Sequence, residues 1–361
     1  MSYKITKNTQ NLLIMNKIIL VLLLISAVNL YALQYTKLNI DLTEKFIYNN
    51  NILSLSKSEM DNFQNGENAD KFHIKTADDL IFHSRISVNY YLKFKKNKYA
   101  KFFCDGNFEN LLKNSIKDTR DFSAGIFAKY NFVYYEFQYA FSPDNYIAHY
   151  KDNEFYKPYT YEKEAYSSYL GFEPLSDWNL EFHYSYQNFY YNKYFTEYDA
   201  QRNVYGGYIK KTFQNVSLKL GYFYTEHNCR GYARDEQSYS LSDKSDYSFL
   251  EDTYKIKLHL KNIKIANRKF VFDFHNFIYY RVYTSEKKAD IDPFHYGVEE
   301  YRISSKIQLS TELFNGLCIA VGDIINIRDK SSDFIDISRY KDYRSNQIYL
   351  GLTYKLMRKR F

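Results

Sequence analysis

From residue 35 onward, apolar and polar side chains take alternate positions, the period of a strand whose two faces meet different surroundings. Leu80, Phe82, Ser84, Ile86, Val88, Tyr90, Leu92 and Phe94 form one series, and His83, Arg85, Ser87, Asn89, Tyr91 and Lys93 the other. Near the end of the chain, Ile348, Leu350, Leu352, Tyr354 and Leu356 alternate with Gln347, Tyr349, Gly351, Thr353 and Lys355. The spacing predicts about 14 strands, at 38–49, 79–95, 98–112, 119–131, 133–142, 161–173, 178–190, 200–212, 215–227, 249–262, 268–283, 297–312, 316–328 and 343–357. The first strand is weakly patterned, Val204–Phe213 has no clearly apolar phase, and Glu164 and Asp323 fall on apolar faces.

The connections alternate too. Tight corners are expected at Lys96-Asn97, Asn131–Phe132, Leu175–Asp177, Gln214, Asn262–Asn267 and Phe314-Asn315. Between them lie long polar segments at 50–78, 113–118, 143–160, 191–199, 228–248, 284–296 and 329–342. Transmembrane barrels have short turns at one rim and long loops at the other. An open sheet in lipid would leave edge N–H and C=O groups unpaired, at several kcal/mol each, and only closure removes the edges. The expected fold is an all-β, antiparallel, up-and-down transmembrane barrel occupying residues 33–361 as one domain.

Residues 1–32 read as a signal peptide. Met15-Asn16-Lys17 precedes the apolar run Ile18–Val28, and Ala32 offers a processing site. Met15 is the expected initiator, with 1–14 an upstream extension. The apolar run is shorter than the roughly 20 residues a spanning helix needs.

Composition adds to the pattern. The chain has 41 Tyr, 29 Phe and one Trp. Tyr and Trp suit a membrane–water boundary, having an apolar ring and a polar tip. Tyr90, Phe94, Tyr135, Tyr139, Trp178, Tyr186, Tyr222, Tyr280 and Tyr354 are the girdle candidates. The mean hydropathy of −0.55 opposes a bundle of membrane helices. The net charge of +7 is spread without the clustered stripe of a nucleic-acid binder.

Ile348-Tyr349-Leu350-Gly351-Leu352-Thr353-Tyr354-Lys355-Leu356 resembles the final strand of bacterial outer-membrane β-barrel proteins. The resemblance implies an outer-membrane location, lipid as surroundings and delivery by the barrel-insertion machinery. Met357–Phe361 departs from it, because Phe361 lies out of phase with Ile348–Leu356. Either the extension is a tail or a register change brings Phe361 into line.

Enzymatic and metal signatures are lacking. The eight His form no HExxH pair, Cys104, Cys229 and Cys318 form no CxxC, and there is no GxSxG elbow or P-loop. No cofactor and no catalytic residue is expected. His183 with Glu181, and His275 with Asp273, stand two apart on a polar face and offer at most an oriented base. The richer feature is the predicted lumen lining: Arg85, Lys93, Lys129, Lys219, Lys255, Lys257, Arg281, Arg302 and Lys306, with Glu136, Glu181 and Asp273. Their basic excess predicts a porin-like channel for small polar solutes, mildly anion-preferring. Surface adhesion through the loops and export or assembly of surface molecules are the competing readings. Loop 228–248 is a candidate binding loop or plug.

Overall fold

The computed structural model describes residues 35–152, 155–230 and 246–360. The expected leader, most of loop 228–248 and Phe361 lie outside them. The fourteen strands are β1 (Tyr35–Asn49), β2 (Asp79–Lys95), β3 (Lys98–Leu111), β4 (Thr119–Tyr130), β5 (Val133–Asp152), β6 (Phe155–Leu175), β7 (Trp178–Tyr191), β8 (Ala200–Phe213), β9 (Val216–Cys229), β10 (Phe249–Ile265), β11 (Arg268–Tyr283), β12 (Val298–Phe314), β13 (Leu317–Ser332) and β14 (Tyr343–Arg360). Each pairs antiparallel with its successor, and β14 returns to β1, so the sheet is a closed barrel. Two short helices, α1 (Lys57–Gln64) and α2 (Ser338–Lys341), lie in the connections.

All six corners at one rim are two-residue turns. Asn97, Asn131 and Gln214 adopt positive φ, as tight hairpins require. The corner expected at Asn262–Asn267 is narrower than the sequence suggests. β10 runs on to Ile265, and Ala266 and Asn267 turn with φ of +46° and +64°. Asn262 instead takes up a bulge between Leu260 and Ile263 in the pairing with β11.

The long connection expected at 143–160 is mostly strand. β5 and β6 continue as a hairpin to Asp152 and Phe155, with register shifts at Ser142/Asn145 and Tyr146/Ala148. The neighbouring strands stop short: β4 pairs with β5 only as far as Phe141, and β7 with β6 only from Tyr161. The projecting hairpin therefore has two free edges, where Pro143 and Pro158 forfeit no ladder bond to a neighbouring strand.

Exposure identifies the faces. Leu250, Tyr254 and Ile256 on β10 are exposed, whereas Phe249, Glu251 and Thr253 between them are buried. The apolar series faces out and the polar series faces in, the arrangement that lipid outside imposes. β8 resolves in the same way: Tyr205, Ile209 and Phe213 are exposed, and Arg202, Tyr208 and Lys210 point inward. The outward carboxylates are real exceptions. Ser84 Oγ donates to Glu44 at 2.6 Å. Asp323 lies in register between Ile307 and Ile348, with one oxygen lacking a hydrogen-bond partner among the described residues. At the turn rim, Lys98 lies 4.0 Å from the Tyr130 ring and Lys211 lies 4.2 Å from the Trp178 ring, each amine reaching along an aromatic toward water. Tyr135, Tyr222, Tyr280 and Tyr354 of the expected girdle are exposed on the outer face.

Extra chain is absorbed at the seam. Ile40 pairs with Met357 and Asp41 with Lys355, leaving Leu356 as a bulge in β14. This backbone register shift is the one the C-terminal pattern allows for.

Inside, large rings lie over glycines of the next strand. The rings of Tyr134 and Tyr349 occupy the space that a Cβ on Gly171 or Gly322 would need. Glycine inside a strand here marks close approach by an aromatic ring. Gly171→Val is expected to destabilise the barrel by about 1–3 kcal/mol through overpacking. Denaturant titration in micelles checks this, and Tyr134→Ala in the same chain should recover part of the loss.

Candidate functional site

The inward face carries three clusters along the barrel. Nearest the turn rim, β8, β9, β10 and β11 enclose a cavity of about 410 Å³ lined by Lys210, Lys219, Lys257, Lys261, His259, His275 and Asp273. The strand period brings these groups together, since alternate residues of adjacent strands share one face. Lys219 reaches Glu181 at 3.0 Å. Asp273, the one carboxylate of the lining, is held by His259 Nδ1 at 2.6 Å. Lys257 stands 5.4 Å from the Tyr208 ring and 5.7 Å from the Phe277 ring.

Around mid-height, charges pair within the wall. Arg85 meets Asp105 at 2.6 Å and Lys101 meets Glu136 at 4.0 Å, and nearer the turn rim Lys129 bonds Glu173. Lys255 sits over the Phe223 ring at 3.7 Å, and Lys306 lies 5.4 Å from the Tyr349 ring. Lys93 lies near the turn rim, in register with Tyr35 and Tyr99.

Toward the loop rim, the ends of β10–β13 hold a buried network. Arg281 bonds Glu251 at 2.7 Å and lies 3.8 Å from Glu300. Lys330 contacts Glu300 at 3.2 Å and donates to Tyr283 Oη at 2.8 Å. Arg302 lies 3.5 Å from Glu251. Phe249, Tyr283, Val298 and Ile337 pack around this network. Arg202, inward on β8, donates to His227 Nδ1 at 3.1 Å and stacks on Phe189.

Above the network the connections converge on the mouth. Ile52, Leu55, Phe72 and Ile74 of residues 50–78 pack on Ile47, Ile81, Leu111 and Tyr349 of the wall. His73 stacks on His149 of the β5–β6 hairpin with ring centroids 3.6 Å apart, and His149 Nδ1 is 2.7 Å from Tyr146 Oη. Lys341 of α2 lies 5.7 Å from the Tyr150 ring. β13 and β5 stand six strands apart by one route and eight by the other, so this contact crosses the mouth. In the adjoining loop Asp292 Oδ1 accepts from His295 Nδ1 at 2.7 Å, and burial lowers the imidazole below its usual range.

The two i, i+2 imidazole–carboxylate pairs do not form. His183 stacks on Tyr169 at 4.4 Å and has no hydrogen-bond partner on either ring nitrogen among the described residues. Its neighbour Glu181 is held by Lys219 and Tyr134. Asp273 bonds His259 rather than His275. In each case cross-strand neighbours are closer than residues two apart along one strand. Sequence reasoning missed Lys210 and Arg202 because Gly206 and Gly207 blur the phase of β8. It missed Glu251, Glu300 and Lys330 as a unit, although extending each strand's alternation would have placed them inward. The part of loop 228–248 with Arg234, Asp235, Glu236 and Asp243 lies outside the described residues.

No protein-family model and no curated protein matches this chain. Solved structures of similar shape include a loop-deletion mutant of OmpT, an outer membrane protein of Vibrio cholerae, at 10% identity, covering 89% of this chain and 99% of that one, with a TM-score of 0.42. An anion-selective porin from Comamonas acidovorans is 7% identical over 90% and 99% of the two chains, TM-score 0.43. The outer membrane protein OprD from Pseudomonas aeruginosa is 10% identical over 91% and 95%, TM-score 0.41. By its own construction, with fourteen closed strands, an apolar exterior, a polar interior, short turns and long loops, the chain is an antiparallel up-and-down transmembrane β-barrel.

Breaking a buried ion pair by removing one partner leaves an uncompensated charge. Glu300→Gln strips Lys330 of its carboxylate and Arg281 of one of two. The expected loss is about 3 kcal/mol, by analogy with other broken buried pairs. It should appear as a lower denaturant midpoint in micelles, and an unchanged midpoint would show the network to be dispensable.

Proposed function

We propose that the chain is a porin-like channel for small polar solutes with a mild preference for anions. The twelve charged positions named from the sequence line its water path, and lipid and the barrel-insertion machinery are its cellular partners. The carrying observation is the cavity at the turn rim, where four lysines face a single carboxylate that is already engaged by His259. Low-dielectric walls focus such a field, and an excess of one sign raises the local concentration of the opposite ion. Pairing moderates the preference, because Lys219 of this cavity meets Glu181, and Arg85 and Lys129 meet carboxylates elsewhere.

A second reading is a surface-binding barrel with an occluded lumen. It draws on the mouth, where the β5–β6 hairpin, residues 50–78 and α2 meet over the barrel axis. Conductance separates the two. In planar bilayers under a salt gradient, the wild-type barrel should conduct with a reversal potential on the anion side. Lys210→Glu, Lys257→Glu and Lys261→Glu together should move that potential to the cation side. A silent barrel would select the surface reading, and a reversal potential unmoved by the triple change would remove this cavity as the selectivity element.

A further inference from the structure

The mouth contains a second cavity, of about 360 Å³, which the channel reading does not use. Three distant segments enclose it: residues 50–78, the β5–β6 hairpin, and the β13–α2 region, with Lys117 of the short β3–β4 connection. Its charged lining is Lys71, Lys117, Arg328, Lys341 and Glu59. Glu59 is committed twice, to Lys71 at 2.7 Å and to Ser56 N at the start of α1. The other three cations have no carboxylate within ion-pair distance among the described residues. Lys117 Nζ donates to the Tyr146 carbonyl at 2.8 Å. Arg328 Nε and Nη2 donate to the Lys341 carbonyl at 2.9 and 2.6 Å. Lys341 Nζ lies over the faces of Tyr150 and Phe294. The carboxylates that act on them at longer range are engaged elsewhere: Glu109 accepts from Thr119, Glu300 is held by Lys330 and Tyr283, and Asp342 accepts from Lys330 N.

Three cations gathered on one cavity with no carboxylate in ion-pair contact form a positive surface that an anion entering the cavity would balance. Burial lowers the Lys117 amine to about 8, against the raising effect of Glu109. The remaining walls are ring-bearing and apolar, supplied by Tyr146, Tyr150 and Ile52. We infer that this cavity binds a small organic anion, a carboxylate carried on a single ring, with Lys117 and Lys341 taking the carboxylate and the tyrosine rings taking the ring. The inference shares an anionic ligand with the channel reading and does not need a conducting lumen.

The test uses the full chain folded in detergent micelles, with benzoate and glucuronate as probes and benzyl alcohol and glucose as their neutral counterparts. Calorimetry should record saturable binding of at least one acid, with its neutral counterpart at least tenfold weaker. Lys341→Gln and Lys117→Gln should each weaken the acid about tenfold, the loss of one charge-assisted contact. Should Lys117→Gln fail to fold, Lys341→Gln decides alone, because the hydrogen bonds from Arg328 are accepted by the Lys341 carbonyl, which the change keeps. Preference for benzoate over glucuronate would identify an aromatic acid, and the reverse a sugar acid. No saturable binding of either acid, equal binding of the neutral compounds, or unchanged affinity in folded Lys341→Gln would overturn the site. Binding is read without current, so its failure leaves the channel reading standing, and a silent barrel leaves this site standing.

Discussion

Every backbone N–H and C=O that lies in hydrocarbon must find a partner within the protein, and this requirement organises the molecule. A strand satisfies only half of its groups with each neighbour, so the sheet has to close. The contact that closes it is β1 with β14, joined along nearly the whole of β1 by residues about 300 or more apart in sequence. The seam accommodates the last segment of the chain by a bulge at Leu356 rather than by leaving strand unpaired. With the wall closed, each residue has only two directions to point, and chemistry sorts them. A lysine or arginine directed at lipid costs roughly 2–4 kcal/mol at mid-depth. The inward face therefore collects the charges, and with them whatever function the barrel performs.

Charge inside a narrow barrel brings its own problem, and the structure answers it differently along the axis. At mid-height most cations meet carboxylates or aromatic faces. Near the loop rim, Arg281, Glu251, Glu300 and Lys330 form a buried network whose members depend on one another. Both cavities, one at the turn rim and one in the mouth, carry more cations than carboxylates in their linings. That coincidence of space and unbalanced positive charge is the basis for both functional readings. It is a property of the side chains and not of the fold, since barrels of this shape can carry either sign.

The architecture was largely legible because the strand period survives in almost every segment. Ile86 within Leu80–Phe94, and Ile348, Leu350, Tyr354 and Leu356 in the last strand, are exposed as their outward phase expects, although Leu92 is buried, and the alternation of tight and long connections matches the two rims. The failures have physical causes. Residues 143–160 read as loop because Pro143, Asp144 and Pro158 disfavour strand, but a hairpin with free edges tolerates them. Gly206 and Gly207 hid the phase of β8, since what they accommodate is a Phe223 ring and a neighbouring backbone rather than solvent or lipid. The candidate site was legible only as a list of inward charges. Which of them would pair was not, because Lys219 with Glu181 and Arg281 with Glu251 are cross-strand contacts fixed by register, and register emerges only when all fourteen strands close together.

The seam is where the central claim is most exposed. Thr43 and Thr353 stand opposite each other across it, with hydroxyl oxygens 3.0 Å apart, so cysteines there fall within disulfide reach. In a chain whose Cys104, Cys229 and Cys318 are replaced by Ser, Thr43→Cys with Thr353→Cys should oxidise to an intramolecular bond in lipid vesicles, giving a circularised product of altered gel mobility. Failure to cross-link in the membrane-embedded chain, with both thiols open to alkylation, would contradict a closed wall.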